Sequence, residues 1–304
     1  MLQAYMWLFV SIFALSFLLV EINSAIHPFG GGFDRLYDRH INVFSPDGEL
    51  LQNKYAAQAA SKGDTVVCVI SQYPPGVDLE DTKDVKIVNG GEILIGIASK
   101  PRDALLDRRG VDKVSKVDDN IWAICTGLAG DGRAMVRLMR KVCTSYRSKF
   151  GAAPTLQYLA TVVSEMQHDF TLSGNERPYG VSILLVGYDE GSLSPCIFHS
   201  SVDGTVTQWL AASAGRGADK CFELMCDRLT GDTDVDATRP SATEAVNLVA
   251  EALHLQGVWQ ADKGSGEEVA KGRPIDLYTI RRLSVDAPAT IISEESFTSV
   301  AEHE

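Results

Sequence analysis

The sequence is poor in the residues that build metal sites and disulfide frameworks. Its six cysteines, Cys68, Cys125, Cys143, Cys196, Cys221 and Cys226, are dispersed over 304 residues, and no CxxC occurs. A structural zinc site needs four ligands at tight spacing. A disulfide scaffold is a short, cysteine-dense secreted chain. Neither fits, and the expectation is buried free thiols in a reducing compartment. The six histidines, at 27, 40, 168, 199, 254 and 303, are scattered as well, so neither a metal nor a cofactor is expected. Positive charge is scarce: 28 Lys+Arg against 40 Asp+Glu leaves −12. A phosphate backbone asks for a basic face, which argues against nucleic acid as a partner. Phosphate-loop chemistry is missing too. Gly215-Arg-Gly217 with Lys220 lacks the Gly-Lys-Ser/Thr ending and reads as a strand-to-helix turn. His199, Ser200, Ser201 and Asp203 are neighbours in a hairpin with no nucleophile elbow around them, so no hydrolytic triad is expected there.

What the chain does have begins with one long apolar run, MLQAYMWLFVSIFALSFLLV at 1–20. Alone it reads as a signal-peptide core or a membrane helix. It lacks a basic n-region, and Asn23-Ser24-Ala25 is a poor cleavage site. Three readings stay open: a wrongly assigned start, which is preferred; a genuine membrane or secretory segment; and some other anchor. His27 to Phe33, with three successive glycines, reads as a flexible lead-in.

Beyond it, hydrophobic content of 45% and charged content of 22% fit a globular chain with a sizeable core. Thr65–Ser71, Glu92–Ser99, Ile121–Thr126, Val181–Val186, Cys196–His199, Thr205–Ala212 and Asp276–Arg281 read as strands. Helices are expected at Arg133–Phe150, after Pro154, from Gly215 through Met225, and at Ala245–Leu255 behind a Ser241/Glu244 capping box. Residues 73–91 are polar and acidic and read as an exposed loop; the tail from Ser293 is acidic and reads as frayed. Strands in groups, then helices in groups, argue α+β rather than alternating βαβ. Two stacked antiparallel sheets with helices on both outer faces, a four-layer αββα sandwich, satisfy that order.

The densest stretch is Tyr37 to Ala60, YDRHINVFSPDGELLQNKYAAQAA. Ser45-Pro46-Asp47-Gly48 is a turn: proline sets its own φ, aspartate bonds back to the chain, and glycine tolerates positive φ. A helical pattern follows, with Leu51, Tyr55 and Ala59 on one face and Gly63 as its stop. This stretch resembles the N-terminal signature of 20S proteasome alpha-type subunits. Tyr37, Asp38, Arg39, Phe44, Ser45, Pro46, Gly48, Leu50, Gln52, Tyr55, Ala56 and Ala59 match it, while Asn53 and Lys54 replace the usual Val-Glu. RPYG at 177–180, the segment Trp209–Ala218, Leu105–Lys113 and Asp118-Asp119-Asn120 fall in family order, so the resemblance covers roughly 33–282.

The resemblance implies the sandwich of the N-terminal-nucleophile hydrolases. It divides the chain into an extension at 1–32, an alpha-type domain at 33–282 with an inserted loop at 73–91, and an acidic tail at 283–304. It implies a non-catalytic subunit in a ring of seven alpha subunits stacked on beta subunits, active in ubiquitin-dependent and other protein degradation in the cytoplasm and nucleus. The apolar segment at 1–20 conflicts with that location. Tyr37, Asp38, Pro46 and Tyr55 correspond to the family's pore-bracing residues. Lys113 and Gly63 correspond to the positions that receive the C-terminal tail of a regulatory particle or activator. Catalytic relatives expose a threonine at their mature N-terminus. Here Asp64 stands between Gly63 and Thr65, so cleavage after the glycine does not expose a threonine. Asp81 and Lys100 are read as solvated loop charges. The competing reading is a self-contained N-terminal-nucleophile amide hydrolase, secreted or membrane-tethered.

Overall fold

The β-branched run at Thr65–Ser71 (β1) is buried along its whole length, and so is Glu92–Ala98 (β2). The computed structural model describes residues 41–74, 90–98, 113–172, 177–230, 239–258, 275–284 and 287–297. Expectations for 1–20, the glycine lead-in, Tyr37, Asp38, Asp81, Lys100 and most of 73–91 lie outside them. Ahead of β1 lies helix α1, Leu51–Ser61. After β2 come β3 (Val114–Asp118), β4 (Ile121–Gly127), α2 (Ala129–Phe150), α3 (Leu156–Leu172), β5 (Val181–Tyr188), β6 (Pro195–Ser200), β7 (Val206–Trp209), β8 (Ala211–Ala214), α4 (Ala218–Thr230), α5 (Ala242–Val258), β9 (Ile275–Arg281) and β10 (Thr290–Phe297).

The strands form two five-stranded antiparallel sheets, ordered β10-β9-β2-β1-β8 and β3-β4-β5-β6-β7. Successive side chains on a strand point to opposite faces, so each sheet has two faces to cover. Val66, Cys68 and Ile70 meet Ile124, Leu184 and Val186 in the core between the sheets. Val67 and Val69 on the opposite face of β1 pack under Met225 of α4 and Val249 of α5. Ile183 and Leu185 of β5 pack under Met135 and Met139 of α2 and Leu159 of α3. This is the four-layer αββα sandwich expected from the order of elements. Gly96 in β2 lets α5 sit close, because a Cβ there would stand 2.3 Å from Val249 Cγ1.

Two expectations are corrected. The single strand expected at Thr205–Ala212 is two strands in different sheets. β7 pairs with β6, and β8 pairs with β1, with the crossing at Leu210. The small residues Ala211-Ala212-Ser213-Ala214 are buried beside β1, whereas Val206–Trp209 is mostly exposed. The chain is also strand, not frayed, from Ser293 through Phe297. β10 pairs with β9 from Thr290↔Arg281 to Phe297↔Ile275, so the expected boundary at 282 falls inside a hairpin.

That hairpin is tied to the other sheet. Tyr188, 1% exposed, donates its hydroxyl to the carbonyls of Gly91 (2.8 Å) and Ile280 (3.1 Å). Arg282, 3% exposed, donates from Nη1 to the carbonyls of Asp189 and Ser192 at 2.8 and 2.9 Å, and from Nε to those of Ser284 and Ala287, each at 3.1 Å. Cys68, Cys143 and Cys221 are buried free thiols, Cys125 and Cys196 are partly buried, and Cys226 is exposed, contrary to the uniform expectation. Burial pushes the Cys125 and Cys143 thiols up to about 12. No helix of the described residues is long and apolar enough to cross a membrane.

Candidate functional site

Glycine sets the architecture at one end of the sandwich. α1 ends at Lys62, and Gly63 runs so close to the end of β4 that a Cβ on it would stand 2.3 Å from Gly127 N. Gly127 in turn lies against Gly180, and Gly215 against the carbonyl of Asp64. Hydrogen bonds hold this convergence. Thr126 Oγ1 donates to Asp64 O at 2.7 Å, Arg216 N to Gly63 O at 3.2 Å, and Leu128 N to Gly180 O at 3.0 Å. The turn at Gly215-Arg-Gly217 is therefore a strand-to-helix connection, as the sequence suggests.

These contacts frame a cleft of about 970 Å³. Among the described residues Lys62, Lys113, Arg133, Arg137 and Arg140 line it, together with the acidic Asp64. The first turn of α2 opens into it, which adds the positive end of a helix. Lys113 Nζ donates to Asp64 Oδ2, and the two side chains are 23% and 13% exposed. Arg140 is engaged elsewhere, donating from Nε and Nη2 to Lys116 O at 2.8 and 2.6 Å. Part of the arginine stripe on α2 is thus internally bound: Arg147 Nη2 also donates to Asp118 Oδ1 at 2.8 Å.

The RPYG turn is fastened to the same end. Arg177 grips Asp131, in the first turn of α2, with Nη1 at 2.6 Å and Nη2 at 2.8 Å, and Gly180 N donates to Asp131 Oδ2 at 3.0 Å. Arg177 holds the Asp131 carboxyl below its ordinary value; burial opposes this and the Gly180 amide assists. A depressed folded value adds stability above the unfolded value of about 3.9, and that stability is lost as pH falls through the folded one. Asp131→Asn is expected to cost about 1–2 kcal/mol at neutral pH and to flatten the acid limb. Urea midpoints from pH 6 to 2.5 check this; parallel curves for the two proteins would contradict it.

The sequence-predicted residues fall into two groups. Gly63 and Lys113 meet in the cleft. Pro46 sits in the exposed turn where Gly48 N donates to Ser45 O at 2.9 Å, and Tyr55, 43% exposed, lies on α1. Their expected companions Tyr37 and Asp38 lie outside the described residues. Phe44 and Val43 beside them are also exposed, 63% and 38%. Lys54, one of the two departures from the family pattern, pairs with Glu49 at 2.6 Å on the surface. The sequence reading missed Thr126, Gly127 and Arg133, and treated Asp64 only as an obstacle to processing. Glycine before a helix start, at Gly127-Leu128, is the one signal that was available.

No triad forms near His199. Its Nε2 lies 2.6 Å from Ser182 Oγ, and burial lowers its pKa, which favours the neutral ring. The Asp203 carboxylate caps its own turn, accepting from Ser201 Oγ and, at 3.0 Å each, from Thr205 N and Oγ1. Among the described residues no group of three or more His, Cys, Asp or Glu is placed to hold a metal.

A family model described as Proteasome subunit matches residues 87–269. Proteasome subunit alpha type-7-B of Oryza sativa subsp. indica is 33% identical over 217 residues, 71% of this chain and 77% of the relative. Proteasome subunit alpha type-7-B of Arabidopsis thaliana is 29% identical over 265 residues, 87% of this chain and 95% of the relative. Proteasome subunit alpha type-7 of Dictyostelium discoideum is 32% identical over 217 residues, 71% and 76% of the two chains. With the sandwich and the signature at Tyr37–Ala60 they place the sequence: the chain belongs to the proteasome subunit family, as one of its alpha-type members.

Proposed function

We propose that the chain is a non-catalytic member of an alpha ring of seven, stacked on beta subunits, that controls passage into the proteolytic chamber of the 20S core and docks its activators in the cytoplasm and nucleus. The observation that carries the non-catalytic reading is the setting of Thr65. It is 4% exposed, it follows Asp64 rather than a glycine, and its Oγ1 donates to Arg216 O at 2.7 Å. A hydroxyl engaged this way, with α1 packed ahead of it, is a structural group; an activated threonine needs its own free amine beside it. Alpha-type relatives support the assembly.

Within that role Pro46 and Tyr55, with Tyr37 and Asp38, brace the open pore. The exposed Phe44 and Val43 supply apolar area for a neighbouring subunit. Lys113 and Gly63 belong to the docking cleft, where a cationic wall suits a terminal carboxylate. In this reading residues 1–32 precede the alpha-type domain and 73–91 is an insertion within it.

A tagged chain is expected to co-purify with other proteasome subunits in a large particle, and the isolated chain to hydrolyse no peptide. Thr65→Val is expected to leave the particle's peptidase activity unchanged while costing about 1 kcal/mol of stability. Peptide turnover by the isolated chain that Thr65→Val abolishes would establish the self-contained hydrolase instead.

A further inference from the structure

The cleft that should receive a carboxylate already holds one. Among the described residues that line it, Lys62, Lys113, Arg133, Arg137 and Arg140 are cations and Asp64 is an acid. Asp64 spends its charge on Lys113. Both side chains are largely withdrawn from water, at 13% and 23% exposure, so bulk solvent screens the pair weakly. An arriving carboxylate would meet a lysine already neutralised and a like charge beside it, a juxtaposition that costs affinity.

We infer that Asp64 is an internal stand-in for a terminal carboxylate, which keeps the Lys113 cleft of this subunit closed to activator tails until its side chain is displaced. The inference rests on the docking reading above. The geometry lets the plug move without the wall. Asp64's carbonyl is held by Thr126 Oγ1 at 2.7 Å, and a Cβ on Gly215 would stand 2.1 Å from that carbonyl, so the backbone is fixed on two sides. Only the carboxylate rotates. Once it leaves Lys113, the cleft has the full cationic wall and the α2 N-terminus facing one incoming anion. The rim cations Arg133 and Arg137 are exposed, so they draw an acidic tail toward the cleft whether or not the plug is seated. Asp64 therefore sets selectivity at the inner position, and the rim sets approach.

The test uses the full-length chain and a fluorescein-labelled octapeptide with a free terminal carboxylate, alongside the same peptide as its C-terminal amide. Asp64→Asn keeps the shape and removes the charge. It is expected to tighten binding of the acid peptide by about tenfold and to leave the amide unchanged. Adding Lys113→Met to Asp64→Asn should abolish the gain. If Asp64→Asn binds the acid peptide no more tightly than wild type while Lys113→Met weakens it, the plug is wrong and the docking reading stands. If Lys113→Met changes acid-peptide binding in neither background, the docking reading fails and takes the plug with it. Thermal unfolding of each variant confirms that it is folded, and Asp64→Ser, which also removes the charge, replaces Asp64→Asn if that variant is not.

Discussion

Gly127→Ala is expected to lose about 3–5 kcal/mol of folding free energy, among the largest effects of any single methyl group in this chain. Two costs combine. Gly127 has φ +125°, a region side-chain-bearing residues rarely occupy. A Cβ there would also stand 2.3 Å from Gly180 O, 3.0 Å from Ala60 Cα and 3.2 Å from Val181 Cα. All three are backbone atoms, so no side chain can rotate out of the way. Relief requires moving α1 or β5 as a body. Gly130 is the matched control. It lies three residues on, in the first turn of α2, with nothing within 4 Å of its would-be Cβ. Gly130→Ala should be neutral or stabilising by up to about 1 kcal/mol, because alanine is the better helix former. Urea denaturation of the two variants against wild type measures both. Equal midpoints for Gly127→Ala and wild type would contradict the packing described at this end of the sandwich.

The second large effect lies at the opposite side of the molecule. Arg282→Met is expected to cost about 3–5 kcal/mol. Arg282 is 3% exposed, and its guanidinium serves four carbonyls from two stretches of chain: Asp189 and Ser192 in the β5–β6 connection, and Ser284 and Ala287 in the β9–β10 connection. Methionine fills much of the volume, so the loss is that of the donors, and buried carbonyls without donors carry their full desolvation penalty. Arg282→Lys should recover less than half of the loss. A single ammonium cannot reproduce a planar fork whose two edges face different loops. Thermal unfolding of the three proteins checks the order wild type, Lys, Met. A lysine variant as stable as wild type would show that charge, not fork geometry, is what these loops need.

How far the sequence could be read followed from the range of the interactions. Runs such as TVVCVIS and the Met135/Met139 face of α2 were legible because burial on both faces of a strand, or one face of a helix, leaves a local pattern. The crossing at Leu210 was not legible. Period-two alternation says that a segment is a strand but not which sheet it joins, and the partners of β7 and β8 lie on different sheets. β10 was hidden by Glu294 and Glu295, which carry the composition of a tail, whereas the strand they belong to pairs with β9. Gly63 and Lys113 were reached through the family resemblance alone. Their approach to Asp64, Thr126 and Gly127 is tertiary: Lys113 and Asp64 are 49 residues apart, and no local pattern joins them. Arg282 does not stand out in the sequence, because nothing in its neighbours announces four carbonyls converging on one guanidinium.

The crossing at Leu210 also bears on the order in which the chain comes together during synthesis. β1 has two neighbours. β2 follows it closely, but β8 completes its other side only when Ala214 pairs with Val66. Until the ribosome has delivered that segment, a seven-residue strand rich in valine, isoleucine and cysteine is left with one flank unpaired. Distant pairings of this kind slow folding and leave a nascent chain prone to self-association. This subunit should therefore mature late, and depend on protective company while it waits, for reasons that lie in its topology rather than in its final stability.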